Sequence, residues 1–272
     1  MRLTAKHLVL QLLSALGDRP APASALVRAC AVFGITENST RVTLARLLAA
    51  GTLEASARGE YRLGAPTEAL TREVTGWRDV ESHVRAWDGS FVAVHGGALG
   101  RSDRTALRRR ERALRLLGFA TLERDLDVRP DNLEGGCDSV RARLSSLGLD
   151  ARALVFRIDH FDDETSQRAR QLWDGRALEQ AYRRTRERLD RWALRQSTLS
   201  RKVAARESFL LGSEAIRQIL FDPRLPEPLV DVAARRALVD AMHRFDVLGR
   251  SIWTDLFGVA PDMSPDPTVE LH

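Results

Sequence analysis

The sequence has 272 residues, of which 44% are hydrophobic and 29% charged, as is typical of a globular protein. This length allows two or three domains with cores of their own. No apolar run reaches the roughly 18 residues of a membrane span. The N-terminal segment is too amphipathic for a signal peptide and lacks a small-residue cleavage site, so we expect a cytoplasmic protein. Cys30 and Cys137 have no CxxC partner and are expected to be reduced, buried thiols, with metal ligation or a disulfide as alternatives.

Basic residues are concentrated in three stretches. The chain carries 42 basic and 37 acidic residues, for a net charge of +5. Residues 1–65 contain 8 basic against 4 acidic side chains, residues 101–115 contain 7 against 2, and residues 183–206 contain 9 against 2. Residues 221–272 reverse the balance, with 5 against 9. A basic body with an acidic end favours a polyanionic partner, although the exposed faces of solvated helices give similar runs.

Three helices are predicted at the N-terminus. The first covers Thr4–Leu16 and is ended by Gly17, and the second covers Ala23–Phe33 after Pro22. The third covers Thr36–Gly51: Thr36 caps its first turn and Gly51 ends it. Its predicted core stripe consists of Thr40, Leu44, Leu47 and Leu48. Its predicted free face consists of Asn38, Ser39, Arg41, Val42, Ala45 and Arg46.

A hairpin is predicted directly after the third helix. Strands at Thr52–Glu54 and Tyr61–Leu63 flank a turn at Ala57–Gly59. Three helices followed by a hairpin, with a small, polar and basic face on the third helix, are typical of a winged helix-turn-helix that reads DNA. The alternative is a small helical domain that binds protein.

The free face and the hairpin supply the candidate DNA contacts. Asn38 and Ser39 open the helix, where side chains reach base edges. Arg41 is suited to donate two hydrogen bonds to a guanine, and Val42 to contact a thymine methyl group. The candidate phosphate or minor-groove contacts are Arg46, Arg58 and Arg62.

The central part of the chain predicts an α+β sandwich. A connector at Pro66–Arg85, with Trp77 as its anchor, precedes it. The predicted strands are Phe91–His95, Phe119–Leu122, Leu126–Arg129 and Ala153–Ile158, and the predicted helices are Asp103–Leu117 and Cys137–Leu147. This βαββαβ order predicts a ferredoxin-like domain, a topology that names no function by itself. The Gly-rich loop Gly96–Ser102 lacks a phosphate-loop signature.

The first of these two helices is strongly basic. Its candidate contacts are Arg104, Arg108 and Arg109, which would extend a DNA footprint or bind the phosphates of an effector. Simple solvation of the helix surface is the alternative.

From Asp162 onward the chain is predicted to be helical. Asp174 caps a long helix whose apolar seam consists of Leu178, Tyr182, Thr185, Leu189 and Trp192, and which packs within the chain or on a second subunit. Helical regions at Leu199–Leu220 and Leu229–Leu256 flank a rigid break at Asp222–Pro226, before a loose tail at Pro261–His272. The predicted domains are 1–65, a connector at 66–86, 87–160, a helical effector and dimerisation domain at 161–260, and the tail.

Several short motifs match one known family in order and spacing. They are NSTRVTLARLLAAGTLE at residues 38–54, Trp87-Asp88-Gly89, Arg104-Thr105-Ala106-Leu107-Arg108, Leu117-Gly118-Phe119, Val128-Arg129-Pro130 and Asp222-Pro223-Arg224-Leu225-Pro226. On these motifs the chain resembles the PaaX family of transcriptional repressors, which are named for control of phenylacetic acid degradation.

The resemblance implies an architecture and a mode of action. It implies an N-terminal winged helix, a central ferredoxin-like domain similar to that of Cas2 proteins, and a helical C-terminal domain. It also implies a homodimer on a palindromic DNA operator, which an aryl-acetyl-CoA thioester releases. No bound cofactor is implied besides this effector.

The chain departs from the family pattern at two places. Phe91 stands where members usually carry a tryptophan, and the segment after Pro226 reads EPLVDVAARRALVD instead of a Trp-Pro-Gly-like element. These departures leave the identity of the inducer open.

An enzyme is not expected. Cas2-type nucleases need an acidic residue at the end of the first sandwich strand, and here that strand ends in Val94-His95-Gly96-Gly97. His83, His95 and His160 lack paired metal-ligand spacing, and helix capping explains the acidic cluster after the last strand. GxSxG, HExxH and Walker patterns do not occur in the sequence. A non-enzymatic protein-interaction module is the main alternative to a DNA-binding regulator.

Overall fold

The computed structural model describes residues 3–16, 19–64, 76–97, 100 and 103–258. The predicted tail at 261–272, residues 66–75 of the predicted connector, Gly17 and residues 98, 99, 101 and 102 of the Gly-rich loop lie outside the described residues. The structure is mixed α+β, with N-terminal helices and a small antiparallel sheet, a central four-stranded antiparallel sheet, and a helical C-terminal region. None of the helices within these ranges combines the length and apolarity that crossing a membrane requires.

Except for the short strand β1, the strands and the main helices follow the predicted order, and their ends agree with the predicted ones to within three residues. The helices are α1 Ala5–Leu16, α2 Ala23–Ala31, α3 Glu37–Ala49, α4 Arg104–Leu116, α5 Gly136–Ser146, α6 Asp163–Arg170, α7 Gly175–Arg195, α8 Arg201–Leu220 and α9 Val232–Phe257. The strands are β1 Ala21–Pro22, β2 Leu53–Ala57, β3 Glu60–Leu63, β4 Phe91–His95, β5 Ala120–Glu123, β6 Leu126–Pro130 and β7 Leu154–Ile158. Short 3-10 helices cover Gly76–His83 and Gln196–Thr198.

The chain divides into two compact units. The first comprises described residues within Met1–Arg78, Thr185–Gln218 and Val239–His272. The second comprises those within Asp79–Arg184 and Ile219–Leu238. The segment predicted as one C-terminal helical domain therefore contributes residues to both units.

In the first unit, α1, α2 and α3 pack together beside a small sheet in the order β1-β3-β2. The hairpin of β2 and β3 is longer than predicted. The two-residue strand β1 was not predicted: Ala21 pairs with Tyr61, and Pro22 with Glu60. A strand of two residues offers no alternation that a sequence pattern would reveal.

The predicted core stripe of α3 is correct at three positions and wrong at the fourth. Thr40, Leu44 and Leu47 are buried, whereas Leu48 is 39% exposed. At 3.6 residues per turn, Leu48 lies about 80° around the helix from Thr40, on the side of Arg41 rather than at the centre of the stripe. The buried stripe is therefore narrower than predicted.

The C-terminal helices complete the first unit. The ring of Trp192 on α7 lies 4.6 Å from that of Phe245 on α9. The Thr185 hydroxyl donates to the side-chain oxygen of Gln218 on α8 over 2.6 Å. The seam of α7 is buried from Tyr182 through Trp192, with Leu178 half-buried. These contacts place the seam against helices of its own chain.

In the second unit, four strands pair antiparallel in the order β5-β6-β4-β7. Together with α4 and α5, they follow the predicted strand, helix, strand, strand, helix, strand order. One sheet face packs on α4 and α5, through Val92, Val94, Leu114 and Leu144. The other face packs Phe91 and Val128 against Ala169 of α6.

Phe91 belongs to an aromatic cluster in the second unit. Its ring lies 5.5 Å from that of Trp87, edge to face, and 5.4 Å from that of Phe161. The turn before it is held by Asp88, whose carboxylate accepts from the backbone and hydroxyl of Ser90. These hydrogen bonds lower the pKa of Asp88 to about 2.

Arg129 is fully buried and organises a polar junction in the second unit. Its guanidinium donates to the carbonyls of Leu117 and Pro130 and, over 2.9 Å, to the side-chain oxygen of Asn132. Burial lowers the pKa of Arg129 from its ordinary value, with the charge of Arg224 as the next cause. A buried charge of this kind is tolerated because its donors are satisfied.

The same junction takes in the predicted rigid break between α8 and α9. Asn132 donates to the carbonyl of Arg224 over 2.7 Å. The carboxylate of Asp222 accepts from the Arg224 backbone over 2.7 Å and from the Tyr182 hydroxyl over 2.5 Å. Burial raises the pKa of Asp222. The motifs around Arg129 and Arg224, which lie far apart in sequence, therefore meet in space. We call Arg129, Asn132, Asp222 and Arg224 the Arg129 junction.

A third motif reaches this junction through Gly118. Its φ is +73°, and a Cβ built on it would lie 2.6 Å from the Cα and 2.7 Å from the carbonyl oxygen of Pro223. Backbone atoms cannot retreat as a side chain does, so the close approach requires glycine.

We expect Gly118→Ala to lower the free energy of unfolding by about 3 kcal/mol, because left-handed backbone strain adds to a backbone clash. Gly89→Ala is the matched control: its φ is +94°, but nothing lies within 4 Å of the added carbon. That control should cost about 1 to 2 kcal/mol. Urea unfolding followed by tryptophan fluorescence measures both, and equal losses would contradict the packing role of Gly118.

Candidate nucleic-acid interface

The start of α3 is fixed by its predicted cap. The Thr36 hydroxyl accepts from the Ser39 backbone over 3.2 Å, and the Thr36 carbonyl accepts from the Thr40 hydroxyl over 3.1 Å. Thr40 also interacts with the buried thiol of Cys30, whose pKa burial raises to about 11. Cys30 is therefore a protonated core residue, whereas Cys137 is only half-buried, contrary to the prediction that both are buried.

The outer face of α3 is open to solvent. Asn38, Ser39, Arg41, Val42 and Arg46 are all exposed, and Val42 is the apolar member at 41% exposure. The predicted free face is thus free within the described chain. Because burying apolar surface is favourable, a partner that covers Val42 would remove the free-energy cost of its exposure to water.

Arg41 already has one partner on its own helix. Its Nε donates to the Glu37 carboxylate over 2.7 Å, and both side chains are about 60% exposed. Exposed pairs of this kind contribute at most about 1 kcal/mol. The pair is therefore weak enough for a stronger acceptor to displace Glu37.

The hairpin presents two more arginines. Arg58 lies exposed at the turn, next to Gly59, whose φ is +80°. The Gly59 carbonyl accepts from the Ala23 backbone over 2.9 Å, which ties the turn to the start of α2. Arg62 is exposed and pairs across the strands with Glu54 over 3.0 Å.

An aromatic contact supports the turn that leads into α3. The Phe33 ring lies 5.2 Å from that of Phe209 on α8 and 6.2 Å from that of Trp253 on α9. The Trp253 indole donates to the Ala205 carbonyl over 2.9 Å. The sequence predicted Phe33 as the last apolar residue of the second helix but gave no signal for its partners, which lie more than 170 residues away.

The segment after the hairpin is anchored to α9 of the same unit. Trp77, the predicted anchor of the connector, is fully buried, and its ring lies 4.9 Å from that of His243. Arg78 pairs with Asp246 over 2.8 Å. The N-terminal helices and parts of α7, α8 and α9 therefore share one compact unit.

The basic helix α4 lies in the second unit and is capped by Asp103, a cap that was not predicted. Asp103 accepts from the backbones of Thr105 and Ala106 over 2.9 and 3.1 Å. The three candidates Arg104, Arg108 and Arg109 are exposed. They do not line the nearby open groove of about 600 Å³, whose charged lining consists of Arg110, Glu111, Arg115, Arg124, Asp125 and Asp127.

Metal-ligating geometry does not occur within the described ranges. No group of three histidine, cysteine or acidic side chains there is placed to hold a metal ion. The first strand of the central sheet, β4, ends at the exposed His95.

Comparison with known proteins gives a family. Profiles described as PaaX-like protein and PaaX-like protein C-terminal domain match residues 4–66 and 173–255, which together are more than half of the chain. The chain belongs to the PaaX family. Members of this family are generally transcriptional regulators rather than enzymes. The first match contains α3 and its hairpin, and the second contains the break at Asp222–Pro226.

A solved structure shares the fold over nearly the full length. It is that of the uncharacterized protein Rv0674 from Mycobacterium tuberculosis, which is 26% identical, with a TM-score of 0.66 over 93% of this chain and 98% of that chain. No curated protein matches the sequence.

Proposed function

We propose that this PaaX-family protein is a DNA-binding transcriptional regulator and that α3 is its reading helix. The observation that carries the proposal is the division of α3 into two faces. Thr40, Leu44 and Leu47 hold the helix against its unit, while the Asn38–Arg46 face is polar, basic and open. A helix anchored on one side and free on the other is what insertion into a major groove requires.

The surrounding elements support a winged helix-turn-helix. Helices α1 and α2 precede α3, and the β2–β3 hairpin follows it as the wing, with Arg58 at its tip. In this arrangement Asn38, Ser39, Arg41 and Val42 face bases. Arg46, Arg58 and Arg62 contact phosphates or the minor groove.

The central sheet supports a ferredoxin-like assignment, similar to that of Cas2 proteins. The β5-β6-β4-β7 order, with every neighbouring pair antiparallel, agrees with a split βαβ arrangement. We propose that the exposed arginines Arg104, Arg108 and Arg109 of α4 bind phosphate, either of DNA or of an effector. The domain limits proposed are 1–65, 87–160 and 161–260, with a connector at 66–86 and a tail at 261–272.

A homodimer on a palindromic operator would supply the specificity that one helix lacks. Arg41 is the one strong base-reading candidate on α3, and a single base contact discriminates by roughly 1–3 kcal/mol. Two copies read two half-sites and add their discrimination. Family likeness supports a cytoplasmic repressor of an aromatic-acid, phenylacetate-type catabolic operon, which an aryl-acetyl-CoA thioester releases.

DNA binding should depend strongly on salt, because each phosphate contact releases counterions. We expect the logarithm of the association constant for the duplex upstream of the protein's own gene to fall linearly with the logarithm of salt concentration. Fluorescence anisotropy with a labelled duplex between 50 and 200 mM salt measures this slope. Flat binding over that range would overturn the proposal.

Arg41→Ala should lower affinity for the specific operator by about ten- to a hundredfold, the equivalent of a lost bidentate base contact, and leave non-specific binding nearly unchanged. Arg46→Ala, on the same helix, is the matched control and should weaken both kinds of binding alike. Footprinting and circular dichroism check sequence preference and folding. An unchanged footprint of a folded Arg41→Ala protein would move the reading surface elsewhere.

An aryl-acyl-CoA thioester should release the protein from its operator, because an effector that favours the unbound form must lower DNA affinity by linkage. A gel shift with and without phenylacetyl-CoA tests this, with free coenzyme A and phenylacetate as controls. Retention of the complex at saturating thioester would contradict this effector class but leave DNA binding untouched.

A further inference from the structure

An open groove lies beside the first turn of the proposed reading helix. It encloses about 670 Å³ within the first unit. Its lining comes from the start of α1, the turn before α3, the first turn of α3, and α8: Leu3, Thr4, Ala5, Phe33, Gly34, Ile35, Thr36, Ser39, Arg206 and Leu210. Ser39 thus belongs both to this groove and to the exposed face of α3.

One cation, Arg206, lines the groove, and two more lie close to its lining residues in sequence. Arg206 is exposed and lines it, and Lys202 lies one turn earlier on the same face of α8. Lys6 is exposed next to the lining residues Thr4 and Ala5. Lys6 and Lys202 are the only lysines of the chain. Within the part of the chain that the structure describes, no ion pair or hydrogen bond is formed by the side chains of Lys6, Lys202 or Arg206.

The acidic residues near this groove are already neutralised. Glu37, in the first turn of α3, pairs with Arg41 over 2.7 Å. Glu207, which follows Arg206 in sequence, pairs with Arg195 over 2.6 Å. Arg206 therefore leaves an uncompensated positive charge in the groove beside the first turn of α3, and Lys202 adds a second charge one turn away on α8.

We propose that Arg206, supported by Lys202, binds a phosphate of the DNA backbone beside α3, so that the DNA interface extends onto helix α8. The inference rests on the proposed function. A helix seated in the major groove is bordered by phosphate backbones, and the flank of α3 that carries Ser39 is the flank that faces Arg206 across the groove. Phosphate is the anion that such a duplex presents there, and guanidinium binds it in bidentate geometry.

The apolar part of the groove agrees with this occupant. Phe33, Ile35 and Leu210 line its wall, and Leu210 is 44% exposed. Each phosphate of DNA is joined to deoxyribose, which has an apolar edge. Contact with that edge would remove these apolar side chains from water. Helix α8, which lies in the C-terminal family match, would then contact the DNA backbone together with residues of the N-terminal match.

The test is the salt slope of Arg206→Gln on specific and on unrelated duplexes. A phosphate contact predicts about fivefold weaker binding to both at low salt and a slope smaller by about one unit. Lys202→Gln together with Arg206→Gln should reduce the slope further. Arg191→Gln is the matched control: this arginine is exposed, lies on α7 of the same unit, and does not line the groove. It should leave the slope unchanged.

The outcomes separate this inference from the proposed function. A flat slope for the unaltered protein would remove the proposed function itself. A steep slope that Arg206→Gln leaves unchanged would overturn only the role of Arg206. Loss confined to the specific operator would make Arg206 a base reader, and loss of the thioester response alone would make the groove an effector site; either result overturns the phosphate contact. Thermal melting checks that the variants fold.

Discussion

The buried guanidinium of Arg129 is the constraint on which the second unit depends. An arginine cannot shed its charge in a protein, so each of its donors must find an acceptor where water is absent. The acceptors are the carbonyl that ends α4, the carbonyl of Pro130 and the amide of Asn132, which in turn holds the carbonyl of Arg224. Removing one partner from such a buried arrangement costs about 3–5 kcal/mol. The end of α4, strand β6 and the segment that leads into α9 are therefore fixed together.

The motifs on which the resemblance rests have different roles. Three of them meet at the Arg129 junction, and another lies on α3. The motifs around Gly118, Arg129 and Arg224 meet in the interior of one unit, where they satisfy backbone and charge and present no surface to a ligand. The motif on α3 does the opposite, because Thr40, Leu44 and Leu47 are buried while Asn38, Ser39, Arg41, Val42 and Arg46 form an exposed face. A shared motif thus indicates a shared scaffold in the first case and a proposed contact surface in the second.

Local features of the sequence predicted local features of the structure. The predicted caps at Thr36 and Asp174 are correct because a cap involves residues only three positions apart. The order of strands and helices is correct because each element has its own periodicity.

Contacts between residues far apart in the chain could not be predicted from the sequence, for a physical reason. A hydrophobic pattern says that Phe33 is apolar but not that Phe209 and Trp253 cover it. The burial of Arg129 contradicts the usual behaviour of arginine and depends on acceptors elsewhere in the chain. The groove at Arg206 exists only once α8 lies beside α3. The partial exposure of Leu48 depends on how much of the α3 surface the packed elements cover. Helical periodicity alone does not determine that width.

The Phe33 contact also bears on how the proposed reading helix can change in evolution. A DNA reader joined to its regulator by a free tether is modular, and recombination can exchange it between proteins without repacking either part. Here the turn that launches α3 is packed against rings supplied from near the other end of the chain. A new reader acquired by exchange would arrive with a mismatched aromatic surface. Changes in what the proposed reading helix binds should therefore accumulate as point substitutions on its outer face, with the aromatic side left intact.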